Sequence, residues 1–419
     1  MPVRSEPHPR TAASGTGTLA MVMTLLLIAH LSLLYSHRAL LFEQRASAGM
    51  VRAVRAQEAA HAGLDWAVSH LNDPRAVDAQ CLPAPQDSTT RPAALRSRWD
   101  RSLATALPLQ PACAQTATGP DWRCHCPDGG AGQVPPTGAA AEAPAFAVTL
   151  QPGARTGLWT LSAEGCSTAG PDCGGDTQPE PDSRYRITTA LATLGQVVQP
   201  PLAALTSVGA VTLADGARTV NSDPASGGTT VHSGSTITLD TLAQVLGPPG
   251  QPAAAGLVAQ DPPLAAGADA LWRRLFGMHL AALQALPSWQ TLACAAGCTG
   301  GDLDSAWRLG ARALWLDGDL ALAQGQWGTA EAPLLLVVRG VLRLGPDAVL
   351  HGLTVAGRVD TSAAAGPRSL LRGALVSLDR TTLRGPIEVV RDAGVLERAG
   401  ALGGALVPVP GSWFDPHTR

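Results

Sequence analysis

The chain contains no lysine: all 30 of its basic residues are arginine, set against 33 acidic ones for a net charge of −3. We read the missing lysine as genome composition bias. The balance provides no global positive field, which argues against nucleic-acid binding. Aromatic residues are scarce, at 4% of 419 residues, yet 10 of them are Trp. Charged residues reach only 15% while hydrophobic ones reach 45%, which excludes a disordered regulator. Gly and Pro, at 45 and 34 residues, stay below the level of a low-complexity chain. A second long apolar run is also missing, which excludes a polytopic transporter. No P-loop, Gly-x-Ser-x-Gly elbow or His-Glu-x-x-His occurs. The length suits two or three domains.

What is present begins at the N-terminus. Residues 1–17 carry Arg4 and Arg10, and Thr18 to Ser36 then runs without a formal charge. As a helix this segment spans about 28 Å, close to the thickness of a bilayer core. Leu19, Leu25, Leu26, Leu27, Ile28, Leu33 and Leu34 supply its lipid-facing bulk. The arginines before it favour a cytoplasmic N-terminus, with Arg38 and Arg45 beyond it weakening that bias. A cleaved export signal ending at Ala46-Ser47-Ala48 places charges between apolar run and cleavage site, an awkward spacer. A plain single-pass anchor is the second reading.

The third reading rests on the residues beyond the span. From His37 no proline interrupts the chain until Asn72-Asp73-Pro74, a helix stop. Met50, Val54, Gln57, His61, Leu64, Val68 and Leu71 recur at spacings of three and four, predicting one packed face. Thr18 to Leu71 is then one helix of about 80 Å, apolar in its first half and amphipathic in its second.

A basic leader, a Gly before the apolar run, LLFEQRASAG and RAQEAAHAGLDWA together resemble the N-terminal module of PilX-type minor pilins. Glu43, Arg45, Glu58, Ala59, Ala60, Ala62 and Gly63 match that module's Glu-x-Arg and Glu-Ala-Ala-x-Ala-Gly signature. The likeness covers roughly residues 13–72. It implies a non-enzymatic subunit that primes or assembles type IV pili at the bacterial inner membrane, with its bulk in the periplasm. It also implies prepilin peptidase cleavage between Gly17 and Thr18. The implied partners are major and minor pilins, the inner-membrane assembly machinery, a tip adhesin and the lipid bilayer. Major pilins carry Glu at the fifth mature position, and Val22 stands there in this chain. A subunit at a filament tip has no neighbour ahead of it to neutralise. The alternatives are a type II secretion pseudopilin and a single-pass anchored surface-binding module.

Eight cysteines, at Cys81, Cys113, Cys124, Cys126, Cys166, Cys173, Cys294 and Cys298, all lie beyond the span. An even number in an oxidising compartment predicts up to four disulfides. Cys294–Cys298 and Cys166–Cys173 are natural local pairs. The other four pair among themselves, with Cys124–Cys126 the least favourable geometrically. Cys124-His125-Cys126 lacks the spacing of a zinc site, so no metal and no cofactor are expected.

The fold class expected is α+β: a long pilin-type helix, then a β-rich region, then a short β-solenoid. Residues 1–17 form the leader, 18–72 the helix, 73–200 a disulfide-bonded β domain and 201–419 a distal β domain, solenoid-like from about 332. Ala145–Leu150, Leu158–Ala163 and Arg184–Leu194 alternate like strands. Trp66 is expected in the core against this sheet. Asp269 to Leu286 is expected as one helix, with Leu271, Leu275, Met278 and Ala282 inward. ALWRRLFGMHLAALQALP, CAAGC and PLLLVVRGVL resemble the distal part of long PilX-like proteins. From Ala332 to about Val407 short apolar pieces alternate with Gly at 18–20 residues per unit, as stacked coils would. Asp317, Asp319, Asp302 and Asp304 are read as turn residues, lacking the other ligands of a cation loop. Asp347, Asp360, Asp379, Glu388 and Asp392 are spread over different turns, which argues against a carboxylate pair for glycan cleavage. His30, inside the span, and His61, on the stripe, are read as tolerated packing residues, with contact of His30 to a neighbouring subunit or assembly protein as the alternative.

Overall fold

The computed structural model describes residues 15–83, 94–96, 98–99, 109–116, 119, 121–127, 143–153, 155, 157–168, 173, 183–362 and 366–415. Most of the expected leader, residues 1–14, lies outside them. The fold is a long N-terminal apolar helix followed by a β-rich region. Helix α1 runs uninterrupted over Gly15–Asn72, 58 residues. It ends where Asp73 and Pro74 stop the hydrogen-bond ladder.

The C-terminal part of α1 packs on an antiparallel sheet. Its strands are β1 (Ala112–Gln115), β2 (Trp122–His125), β3 (Ala145–Pro152), β4 (Leu158–Cys166) and β5 (Arg184–Leu194). The order is β2-β1-β3-β4-β5, and the edge beyond β5 is filled by Ala405–Pro408, from the far end of the chain. The helix face that meets this sheet is Ala56, Ala59, Ala60, Gly63, Leu64, Ala67 and Leu71, all buried. The expected stripe is therefore corrected. Leu64 and Leu71 are buried and Val68 is half-buried, but Met50, Val54, Gln57 and His61 are exposed. Small residues define the real face because the backbones come together. A Cβ on Gly63 would lie 3.0 Å from the Phe146 ring, and one on Gly165 of β4 would overlap the backbone at Ala56 and Ala60. Trp66 is half-buried against this core, 5.9 Å from Phe146 and 4.4 Å from His70 between ring centroids.

Disulfides fasten this unit. Cys113 and Cys124 face each other across β1 and β2. Cys81–Cys126 ties the segment after α1 to the end of β2, and Cys166–Cys173 closes a loop after β4. The fourth, Cys294–Cys298, lies in the second unit.

That second unit is a 17-stranded sheet in which every pairing is parallel. Its strands are β6 (Leu205–Ser207), β7 (Val211–Ala214), β8 (Arg218–Val220), β9 (Val231–Ser233), β10 (Ile237–Leu239), β11 (Gln244–Leu246), β12 (Leu257–Val258), β13 (Gln290–Leu292), β14 (Cys298–Thr299), β15 (Ala313–Leu316), β16 (Leu320–Leu322), β17 (Gly325–Trp327), β18 (Leu334–Leu344), β19 (Ala348–Ser362), β20 (Ser369–Ser377), β21 (Thr381–Arg384) and β22 (Ile387–Arg391). Partners stand about one coil apart in sequence. Leu205 pairs with Val231, Ala313 with Leu335, Leu334 with Gly352, Val349 with Leu370 and Ser369 with Ile387. The stack is therefore not confined to the region after residue 332. Residues 205–258 and 290–327 contribute coils too.

The order of coils in space differs from the order in sequence. Leu375 pairs with Leu205, so the coil at 373–391 meets the first one formed, at 205–220. The chain thus winds outward from residue 205 to 258, returns along the outside, and winds inward from 290 to 391. The return uses α2 (Ala268–Phe276) and α3 (Leu280–Gln284). The single helix expected over 269–286 is split because Gly277 adopts φ +68° and ends α2. Leu271 and Leu275 are buried as expected and Met278 is half-buried, but Ala282 is exposed and Leu283 takes the inward position.

These helices explain why Leu334–Val338 reads as a continuous apolar run. Leu334, Leu336 and Val338 point into the coil interior, while Leu335 and Val337 pack outward against Trp272, Phe276 and Trp289. Strands covered on both faces lose alternation. Helix α4 (Gly300–Arg308) packs Leu303 and Ala306 into the coil interior. After β22, α5 (Ala393–Leu402) covers the outer face that Leu335 and Val337 present. The last strand, β23 (Ala405–Pro408), then leaves the stack and joins β5. The expected distal domain at 201–419 therefore does not hold its last strand, whose apolar Leu406 is buried in the α1 core.

Candidate membrane and assembly surface

From Gly17 to Arg55 every described side chain of α1 is exposed. Among the described residues this is the one helix long and apolar enough to cross a membrane. Leu19, Leu25, Leu26, Leu27, Ile28, Leu33 and Leu34 are each at least half exposed, from 51% at Leu34 to 68% at Leu33. Helical periodicity spreads them all round the axis, so no face is reserved for water. Thr24 satisfies its hydroxyl on the carbonyl oxygens of Ala20 and Met21. His30 is exposed on the same segment. Gly17 and Thr18 lie within the helix, and a Cβ on Gly17 would meet nothing within 4 Å.

The exposed half is held by how the other half is locked. Asn72, the last residue of α1, is buried. Its amide donates to the carbonyls of Val68 (2.9 Å) and Leu406 (2.8 Å) and accepts from the Leu406 N–H (2.8 Å). The side chain thus acts toward β23 as a neighbouring strand would. Burial holds His70, two residues earlier, below the usual histidine range. The tail after β23 returns over the helix, where Trp413 stacks on His61 at 5.0 Å. The Tyr185 hydroxyl donates to Asp415, and this bond pushes the phenol up to about 12.

On the coil stack, neighbouring coils are joined by ion pairs: Asp317–Arg339, Asp319–Arg343, Glu388–Arg368, Glu388–Arg218 and Asp392–Arg372. Asp319 is held below the usual carboxylate range, first by the Val341 N–H and then by Arg343. Asp302 is lowered by accepting from the Thr299 backbone and hydroxyl at the start of α4. Glu388 and Asp392 thus serve coil-to-coil pairing, and the structure does not bring them to one site with Asp347, Asp360 and Asp379. Two adjoining grooves of about 560 and 750 Å³ open beside Cys294–Cys298 and α4. Asp304, Asp360 and Arg343 line the larger one. Among the described residues no group of three or more His, Cys, Asp or Glu could hold a metal.

Sequence reasoning missed the Asn72 lock, because an Asn before Asp-Pro reads as a helix stop. It also missed the small-residue face, although Glu-Ala-Ala-x-Ala-Gly contains it.

No protein-family model matches this chain, and no curated protein does. Among solved structures, the competence-associated pilin ComZ from Thermus thermophilus aligns with 86% of this chain and 96% of its own. The identity is 13% and the TM-score 0.18. A TM-score that low is not that of a shared overall fold, so function is argued from this chain's own residues.

Proposed function

We propose that this chain is a non-enzymatic, pilin-like subunit of the PilX minor-pilin type, acting in type IV pilus assembly or priming. The observation that carries the reading is α1: one continuous helix, wholly exposed and apolar at first, then packed through small residues on a sheet. The Thr18–Ser36 segment holds the subunit in the inner membrane. Moving it to water would cost roughly 1.5–3 kcal/mol per large apolar side chain, so it passes only from lipid into another apolar setting. The core of a filament is such a setting. The disulfide-bonded sheet and the coil stack, which we read as a β-solenoid, stand on the periplasmic side. There they meet other pilins, the assembly machinery or a tip adhesin. Prepilin peptidase is the processing enzyme and Gly17–Thr18 the bond it cuts.

Intact-protein mass spectrometry of the membrane-expressed chain, with and without prepilin peptidase, tests this. The expected result is loss of residues 1–17 only when the peptidase is present. A chain that stays whole would leave a plain anchor, and one cut after Ala48 would be an exported soluble protein. Either outcome ends the pilin reading.

A further inference from the structure

The larger groove beside α4, of about 750 Å³, has for its floor a row of outward residues on adjacent strands. Thr299 of β14 pairs with Ala321 of β16, and Ala321 with Arg343 of β18. Asp360 of β19 continues the row, since Arg343 and Asp360 each follow directly on the register partners Leu342 and Val359. These four residues are exposed, while Leu320, Leu322, Leu342, Leu344 and Val359 beside them are buried inside the coils. The row runs on past the groove as Thr382, Thr212 and Thr238. One wall is α4, whose Asp304 lines the groove. The smaller groove adjoins it, sharing Thr299, Ala321 and Arg343.

Arg343 is the one cation lining either groove, and Asp319 already neutralises it. Asp304 and Asp360 are exposed and make no ion pair among the described residues. An anionic polymer, nucleic acid included, is therefore repelled. The start of α4 offers no anion seat either, because Thr299 and Asp302 close it with a capping box. What suits the groove is an uncharged ligand rich in O–H donors. An ionised carboxylate only accepts, and two adjacent hydroxyls supply it with two donors. The Arg343 guanidinium has donors beyond those that face Asp319, and Gln324 on the same groove both donates and accepts. Neighbouring strands stand about 4.8 Å apart, so the four floor positions span about 14 Å. A β-linked pyranose chain is flat and repeats at about 5 Å, close to that spacing. Successive sugars then meet successive coils in register.

We propose that this groove binds a neutral, linear, β-linked glycan laid lengthwise across the coils, with its hydroxyl pairs on Asp304, Asp360 and Arg343. The Thr382, Thr212 and Thr238 row extends the track for a longer chain. The inference concerns the coil stack alone, so it stands or falls apart from the pilin reading above.

The test is isothermal titration of the full chain, purified in a detergent without a sugar headgroup, with cellohexaose, cellotetraose and cellobiose. Saturation-transfer NMR on the same samples shows which sugar protons are in contact. Cellohexaose is expected to bind, with most of the affinity gained between cellobiose and cellotetraose, the length that fills the floor. Maltohexaose, α-linked and coiled, binds about ten-fold more weakly or not at all. Chitohexaose is also weaker, since an acetamido group replaces one hydroxyl of each adjacent pair. Asp304→Ala or Asp360→Ala alone weakens cellohexaose about ten-fold, as loss of a hydrogen bond to a charged group would. Ala321→Trp fills the exposed floor and abolishes binding. Protease resistance equal to that of the parent chain shows that the coils stay folded in each variant. No binding of cellohexaose would overturn the proposal, as would maltohexaose or chitohexaose bound as tightly. Displacement of cellohexaose by polygalacturonate or duplex DNA would overturn it too, and so would folded Asp304→Ala and Asp360→Ala chains that bind like the parent.

Discussion

Tyr185 shows how a single hydrogen bond ties the tail to the sheet. It lies on β5, half-buried, and its hydroxyl donates to Asp415. A neutral phenol can donate and a phenolate cannot, so the bond and the nearby carboxylate both oppose ionisation. The folded value of about 12 lies above the ordinary value of 10.0. The stability from this contact is therefore complete below the unfolded value and is lost as pH rises through about 12. The chain has only 2 Tyr, so absorbance titration near 295 nm resolves Tyr185 from Tyr35 once a Tyr35→Phe variant is compared. Asp415→Asn is expected to bring Tyr185 down toward 10. A wild-type midpoint already near 10 would show that the tail is not docked.

At the scale of elements, the contact of α1 with β4 is governed by glycine. Gly165 lies under the helix between Phe146 and Tyr185 of the flanking strands. Gly165→Val is expected to force helix and sheet apart, with a loss of about 3 kcal/mol, as for severe overpacking. Glu58→Ala, on the solvent side of the same turn, should change stability by less than about 0.5 kcal/mol. Denaturant unfolding of the full chain in detergent compares the two, and equal effects would refute the close-contact account. The same contact shows what the sequence made legible. The long helix, its stop at Asn72 and the strand Arg184–Leu194 were all readable, because proline and strict alternation mark them locally. The packed face was not, because the stripe at Met50, Val54 and His61 follows large side chains while the sheet selects small ones. The full extent of the coils was also hidden. Residues 205–258 build theirs with buried Ser and Thr, such as Ser207, Thr219 and Ser233, instead of the Leu and Val of the later coils. Ser377, Ser207 and Ser233 occupy matching positions on successive coils. Each donates its hydroxyl to a backbone carbonyl, of Arg380, Asp379 and Gly209 respectively, so a polar residue is satisfied inside.

At the scale of the whole molecule, the coil stack is an insertion between two neighbouring strands. β5 ends at Leu194 and β23 begins at Ala405, and these two residues are register partners. The chain therefore leaves the first unit and returns to it at the same place. Leu406 is buried in the α1 core, and Asn72 holds its N–H and carbonyl. Without β23 the edge of β5 opens, and Asn72 is left buried with two of its three hydrogen bonds broken, each unmet group costing about 1–3 kcal/mol. Two deletions then separate position in sequence from position in the fold. Removal of residues 404–419, a small fraction of the chain, is expected to unfold the helix-and-sheet unit. Replacement of residues 196–403 by a short turn, a deletion of about half the chain, should leave that unit folded, since the turn joins strands that already lie side by side. Protease resistance of the Cys113–Cys124 region, read under non-reducing conditions, reports on both. Resistance in the short truncation together with loss in the large excision would mean that the stack, and not β23, holds the first unit together.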